Sequence, residues 1–228
     1  MPASLRSILG VFVRHPAPGL VKTRLAVALG PTAAATLYAA FTQDIAARFR
    51  HVAARRILAF TPADAAARSH FQQLAAGDYE LWPQPDGSLG ERLHSFFDTH
   101  LAAADRAVVI GSDSPTLPAE FAARALELLG ERDCVLGPAA DGGYYLIALR
   151  RPCPALFEGI DWGTPRVLEQ TVDRLRQTGL SLHLLPVWYD VDTPDDLAFL
   201  CGDLAAMRYA GLPMELPATD RALREIGP

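Results

Sequence analysis

Short apolar runs that take turns with longer helical stretches constrain the fold of this chain more than any other feature. Residues 8–13 read as a buried strand, followed by a loop rich in Pro and Gly. Residues 25–52 are Ala-rich and helical, broken at Gly30-Pro31, where a capping glycine meets a proline suited to a first helical turn. Strands are expected at 56–60 and 79–82, with a helical stretch at 63–76 between them. A polar turn, Pro85-Asp86-Gly87-Ser88, leads into a helix over 89–104, and 107–110 form a four-residue buried strand. Phe121, Ala125, Leu128 and Leu129 share a helical face that Gly130 closes. Strands at 133–136, 144–149 and 182–187 follow, with a helix marked by Val167, Thr171 and Leu175 and a last long helix at 195–209. This rhythm predicts an α/β fold with a mostly parallel central sheet flanked by helices on both faces. Ligands of such sheets bind beyond the carboxyl ends of the strands, so the residues just after strands carry the functional information.

The 228 residues, 50% hydrophobic and 21% charged, suffice for one domain with a sizeable core. We take 1–228 as that single domain, with 211–228 as a C-terminal tail. A net charge of −5 without a basic stripe argues against nucleic acid as a partner. The apolar run at 8–13 is too short for a secretory signal or a membrane span. Cys134, Cys153 and Cys201 fit neither a disulfide framework nor a zinc pattern and read as reduced thiols of a cytoplasmic protein. No histidines have metal-ligand spacing, and the absence of GxSxG removes support for serine hydrolysis.

Of the 21 cationic residues twenty are arginine and one, Lys22, is lysine, while alanine occurs 38 times. Such drift leaves a lysine either by chance or where a compact ammonium fits and a planar guanidinium does not. Lys22 lies in the loop Arg14-His15-Pro16-Ala17-Pro18-Gly19-Leu20-Val21-Lys22-Thr23-Arg24-Leu25, which joins the first strand to a helix. Three cations, a permissive Gly19 and the amides of the following helix suit this loop to a phosphate chain. The prolines donate no N–H, so the side-chain cations carry more of the binding. The loop is neither a Walker A motif nor a dinucleotide fingerprint. Solvated charges on an exposed loop are the alternative.

Two acidic segments also follow strands. In Gly111-Ser112-Asp113-Ser114-Pro115, Asp113 is placed either to hold Mg²⁺ or to organise an Asx turn before the proline. In Asp190-Val191-Asp192-Thr193-Pro194-Asp195-Asp196, residues two apart face the same way in extended chain, so Asp190 and Asp192 could reach one metal, with Asp192 favoured. Thr193, Pro194, Asp195 and Asp196 read as the capped first turn of a helix. Pro194 also argues against an aspartyl-nucleophile phosphatase of the haloacid dehalogenase type.

Three glycine-bearing segments complete the set. Asp141-Gly142-Gly143 sits between two strands, either as a plain hairpin turn or with Asp141 offered to an acceptor. Leu89-Gly90-Glu91-Arg92 at a helix start could hold a base or ribose, and Trp162-Gly163-Thr164, with Thr164 as an N-cap, could bound an acceptor pocket.

Taken in order, these segments resemble the nucleotide-diphospho-sugar transferase superfamily with its GT-A fold, and within it the bacterial glycosyltransferase-like DUF2064 family. The segments run from Pro18–Leu25 through Leu89–Arg92, Gly111–Pro115, Gly137–Ile147 and Trp162–Thr164 to Asp190–Leu197. Lys22-Thr23-Arg24-Leu25 and Asp190-Val191-Asp192-Thr193-Pro194 are also similar to segments of phospholactate guanylyltransferases and molybdenum-cofactor nucleotidyltransferases. The resemblance implies a mostly parallel α/β fold and a Mg²⁺- or Mn²⁺-dependent transferase. It assigns phosphate binding to Lys22 and Arg24 and the metal to Asp113 and Asp192; Asp190 stays a further candidate on the spacing of the last segment alone. The chain departs from the glycosyltransferase pattern in having Ser112-Asp113 where a DxD is usual, with Gly111 in place of the first acid.

The expected activity is nucleotidyl transfer from a nucleoside triphosphate to a phosphorylated or oxyanion acceptor. Sugar transfer from a nucleoside diphosphate sugar to a small acceptor is the alternative, and a nucleotide-binding module without turnover is the third reading. Lys22, Arg24, Asp113 and Asp141 are the expected catalytic residues. Arg14, Gly19, Lys22, Thr23, Arg24, Gly90 and Arg92 are expected on the nucleotide, and Asp141, Gly142, Gly143, Trp162 and Thr164 on the acceptor. The expected partners are a nucleotide and a small-molecule acceptor.

Overall fold

A computed structural model of the chain describes residues 6–213 and 215–227. In chain order its strands are β1 (Ser7–Arg14), β2 (Arg55–Thr61), β3 (Glu80–Pro83), β4 (Arg106–Ile110), β5 (Cys134–Pro138), β6 (Tyr144–Leu149) and β7 (Leu182–Leu184). The helices are α1 (Thr23–Leu29), α2 (Pro31–Phe49), α3 (Ala65–Ala75), α4 (Leu89–Leu101), α5 (Ala119–Leu128), α6 (Val167–Thr178), α7 (Pro194–Tyr209) and α8 (Pro217–Ile226), with a 3-10 turn at Pro154–Phe157. Among the described residues the strands form one sheet in the order β3-β2-β1-β4-β6-β5-β7. All pairs are parallel except those of β6, which runs against both β4 and β5. The mostly parallel sheet expected from the sequence is thus present, with one reversed strand inside it.

The period of two decides which way each side chain of β1 points. Leu9, Val11 and Val13 pack on one face beneath α2, α3 and α5, while Ile8 and Phe12 pack on the other against α4. Gly10 faces α4 between them. A Cβ there would lie 2.4 Å from Cζ of Phe96, so the missing side chain is what lets this fully buried ring sit against the strand. A third apolar cluster joins α1, α2, α7 and α8 through residues such as Leu25, Phe41, Leu200 and Leu223.

Two expectations are revised. The last strand is shorter than 182–187, because Pro186 has no N–H to extend the ladder. Leu185 N–H still donates to the Leu136 carbonyl, and the chain meets β5 again at Trp188, whose N–H donates to the Pro138 carbonyl. The stretch 211–228, expected as a tail, holds α8 within its described residues, while positions 214 and 228 lie outside them. Among the described residues no helix is long and apolar enough to cross a membrane.

Candidate active site

The carboxyl ends of β1 and β4, the chain after β7 and the turn before β6 meet along one edge of the sheet. Backbone bonds fix this meeting. Gly111 N–H, just past β4, donates to the Tyr145 carbonyl at 3.1 Å, and Val191 N–H donates to the Asp113 carbonyl at 2.9 Å. Because β6 is reversed, it is its beginning, and hence the turn ahead of it, that reaches this edge. From α2 the buried Tyr38 ties two loops together. Its hydroxyl accepts from Arg14 N–H at 3.0 Å and shares a hydrogen bond with Ser112 Oγ at 2.7 Å. Burial, with Asp113 nearby, pushes its pKa up to about 12.

Lys22 stands at the centre. It precedes α1 in a left-handed backbone conformation, φ 47° and ψ 43°, which costs a non-glycine residue about 1–2 kcal/mol. That conformation turns the side chain inward, where it is only 2% exposed. Its Nζ pairs with Asp113 Oδ1 and, at 2.8 Å, with Asp192 Oδ1. The faces of Tyr38 and Phe41 lie 5.7 and 5.8 Å from the same nitrogen. Burial pulls the ammonium's pKa down, but Asp113 and Asp192 more than offset it and hold it above the ordinary lysine value. The two carboxylates remain 46% and 39% exposed, so each keeps oxygen surface toward solvent.

Asp190 behaves differently. It hydrogen-bonds Ser114 Oγ, is largely enclosed, and burial pushes its pKa up to about 7 against the opposing effect of that hydrogen bond. Asp190 and Asp192 therefore turn to different partners rather than to one. The chain at 189–193 is not in strand, so the alternation that would align them does not apply. Among the described residues no cluster of three acidic, histidine or cysteine side chains is suited to a metal.

A cleft of about 420 Å³ opens over these groups. Arg24, Asp113 and Asp192 line it together with Asp141, Tyr144 and Trp162. Arg24 is the one cation in the lining, and Asp190, Gly143 and Thr164 also border it. Asp141 Oδ1 accepts from Gly143 N–H at 2.8 Å, which closes the turn, and the residue lines the cleft. A larger groove, about 720 Å³, runs between α2, α3 and α8 away from the strand ends, lined by alanines such as Ala39, Ala46 and Ala75 and by polar side chains such as Arg50, Asp78 and Arg221. Its place at the carboxyl ends of the parallel strands, not volume, singles out the smaller cleft.

The remaining expected residues divide. Arg14 is exposed at the end of β1, where its guanidinium donates to the Leu20 carbonyl at 3.4 Å, and Gly19 takes φ 79° at an open turn. Thr23 is exposed at the first position of α1. Gly90 and Arg92 do not line the cleft. A Cβ on Gly90 would come within 2.6 Å of Trp162 Nε1 and 2.8 Å of the Phe157 carbonyl, so this glycine is a packing position. Gly142 adopts φ 91° with its missing Cβ against the Pro165 backbone, beneath the cleft rather than in its lining. Thr164 does not cap α6. Its hydroxyl donates to the Asp161 carbonyl at 2.8 Å, and Arg166 occupies the cap position. Thr193 does cap α7, in a reciprocal box with Asp196. The sequence reading missed Phe12 and Tyr144 in the cleft wall and Tyr38 behind the loops, while Leu89, from the segment expected at a base or ribose, does line the cleft. The alternation along β1 is the signal that finds Phe12.

A family model described as an uncharacterized protein conserved in bacteria (DUF2064) matches residues 44–164. The chain belongs to the DUF2064 family. No curated protein sequence matches it. This DUF2064 chain is 35% identical to a protein from Desulfovibrio desulfuricans G20 that is provisionally assigned as a nucleotide-diphospho-sugar transferase. The match has a TM-score of 0.84 and covers 98% of this chain and 99% of that one. CMP:2-keto-3-deoxy-manno-octonic acid synthetase in complex with CTP matches at 14% identity and TM-score 0.57, covering 88% and 99%. Rv0371c from Mycobacterium tuberculosis H37Rv, in complex with manganese, matches at 19% and 0.50, covering 85% and 97%. The last two share the fold alone. The family that the motifs resemble and the expected nucleotide-diphospho-sugar transferase fold are both present.

Proposed function

We propose that this chain is a divalent-metal-dependent transferase that moves a nucleotidyl group from a nucleoside triphosphate to an oxyanion acceptor, phosphorylated acceptors included. The observation that carries the reading is Lys22 held between Asp113 and Asp192 beside Arg24 at the strand ends. Two half-exposed carboxylates converging on one positive charge are a donor set suited to Mg²⁺ or Mn²⁺, which take one or two carboxylates and fill their remaining positions with phosphate oxygens and water. In this reading Asp113 and Asp192 hold the ion, and Asp190 stays tied to Ser114. The ion, when bound, supplies positive charge against the phosphate oxygens.

Lys22 and Arg24 neutralise charge that develops on the phosphate chain, while Arg14, Gly19 and Thr23 shape the loop around it. Asp141, braced by Gly143, orients the acceptor oxygen, and Trp162 with Thr164 bounds its pocket. Catalysis then rests on positioning and electrostatics, without a covalent enzyme intermediate. Same-fold proteins seen with CTP and with manganese support the reading. Three free cysteines accord with a cytoplasmic enzyme.

One observation favours sugar transfer as the second reading. The cleft lining offers Asp141, Tyr144, Trp162 and Thr164 with Arg24 as its one cation, which suits a hydroxyl-bearing acceptor. The test is product analysis with Mg²⁺, each nucleoside triphosphate or nucleoside diphosphate sugar, and pooled acceptors. Pyrophosphate release is expected, falling about 100-fold or more in Asp113→Asn. Nucleoside diphosphate released from sugar nucleotides, without pyrophosphate, would replace nucleotidyl by glycosyl transfer. Thermal stabilisation by nucleotide with no turnover of any kind would leave only the binding-module reading.

A further inference from the structure

The atom that bridges Asp113 and Asp192 is the ammonium of Lys22, at the point where the proposed metal would be held. We propose that Lys22 is an internal counter-ion that keeps this carboxylate pair closed until a phosphate chain draws it away, so that metal and phosphate chain bind together and each binds poorly alone. The inference rests on the metal reading above and extends it to the order of binding.

Like charges sharing the same two carboxylate oxygens repel strongly at a few ångströms, so a divalent ion and the ammonium compete for the pair. An ammonium that left with no anion to receive it would be stranded, because its side chain is 2% exposed and its other neighbours are the ring faces of Tyr38 and Phe41. Metal alone therefore meets a closed site. A phosphate chain alone meets two carboxylates that lose their counter-charge once Lys22 turns toward it. With both present, the ion takes the carboxylates and the phosphate oxygens take the ammonium. The left-handed backbone at Lys22 fixes where the side chain starts, and its four-carbon stem lets the head move without moving α1.

Because Lys22 is the only lysine in the chain, protein labelled with ¹³C,¹⁵N-lysine gives a single side-chain Cε–Hε resonance that belongs to it. Inorganic tripolyphosphate serves as the probe for the phosphate chain. The resonance is expected to stay in place with Mg²⁺ alone and to shift when tripolyphosphate and Mg²⁺ are added together. In parallel, Lys22→Met is expected to bind Mn²⁺ alone at least about tenfold more tightly than the wild type, and tripolyphosphate is expected to raise wild-type Mn²⁺ affinity by a similar factor. Lys22→Gln provides the same comparison if the methionine variant does not fold. A full shift of the lysine resonance with Mg²⁺ alone, or variants that gain no Mn²⁺ affinity, overturns the proposal. If the wild type binds Mn²⁺ with tripolyphosphate yet the variants gain nothing, the lysine role fails and the metal reading stands. If no protein binds Mn²⁺ under any of these conditions, both fail.

Discussion

With its side chain 2% exposed and carboxylates from two different strand ends against one nitrogen, Lys22 fills a gap sized for an ammonium. A guanidinium is wider and planar, and it cannot turn three short donors toward two oxygens at one point. Lys22→Arg is therefore expected to weaken nucleoside triphosphate binding by about tenfold or more, equivalent to ~1.4 kcal/mol. Calorimetric titration in the presence of Mg²⁺ checks this, and unchanged affinity would make the lysine a survivor of chance. Lys22, Asp113 and Asp192 were legible because each lies in a segment that follows a strand and inside a motif, and because Lys22 is the one lysine. What Asp190 does was not legible, because its enclosure depends on Ser114 from a different strand end. Tyr38 was equally hidden, because its role appears only once α2 lies against the ends of β1 and β4.

The turn between β5 and β6 stands or falls with Gly142. Its φ of 91° is foreign to other residues, and a Cβ would meet the Pro165 carbonyl oxygen at 2.2 Å and Cα at 2.7 Å. Gly163, φ 80°, has nothing within 4 Å of its missing Cβ. Gly142→Ala should then cost about 2–5 kcal/mol, from strain and collision together, and Gly163→Ala about 1–2 kcal/mol from strain alone. Thermal unfolding of the two variants side by side checks the ordering, and equal losses would contradict the packing described. Elements whose ends are set by near neighbours were legible. The box of Ser88 with Glu91 starts α4, as that of Thr193 with Asp196 starts α7. The reversal of β6 was not, because strand direction is decided by partners distant in sequence. Gly90 illustrates the same limit, its purpose being set by Trp162 on another element.

Across the whole molecule, α8 closes the third apolar cluster. Leu216, at its N-cap, has no side-chain oxygen, and the cap comes instead from Asp44 on α2. The buried Asp44 carboxylate accepts from Ala218 N–H at 3.0 Å and Thr219 N–H at 2.7 Å. Asp44→Ala leaves both donors unpaired and is expected to cost about 2–4 kcal/mol, a fall of roughly 5–15 °C in Tm. Hydrogen exchange should then quicken in α8 while the central strands β1 and β4 keep their protection, and an unchanged α8 would show that Asp44 is not its latch. The sequence pattern reached this scale for the alternating strands and helices but not for α8, whose cap lies far away in the chain.

The reversed strand has a consequence for how such a site can be altered. The turn ahead of β6 is the one contribution to the cleft made by a hairpin rather than by a crossover, and both its arms are paired in the sheet from Cys134 to Leu149. A hairpin tip can be lengthened or exchanged without re-threading a helix across the sheet. The cleft wall around Asp141 is therefore open to loop grafting that keeps Gly142, whereas Lys22, Asp113 and Asp192 are locked into three separate pieces of chain.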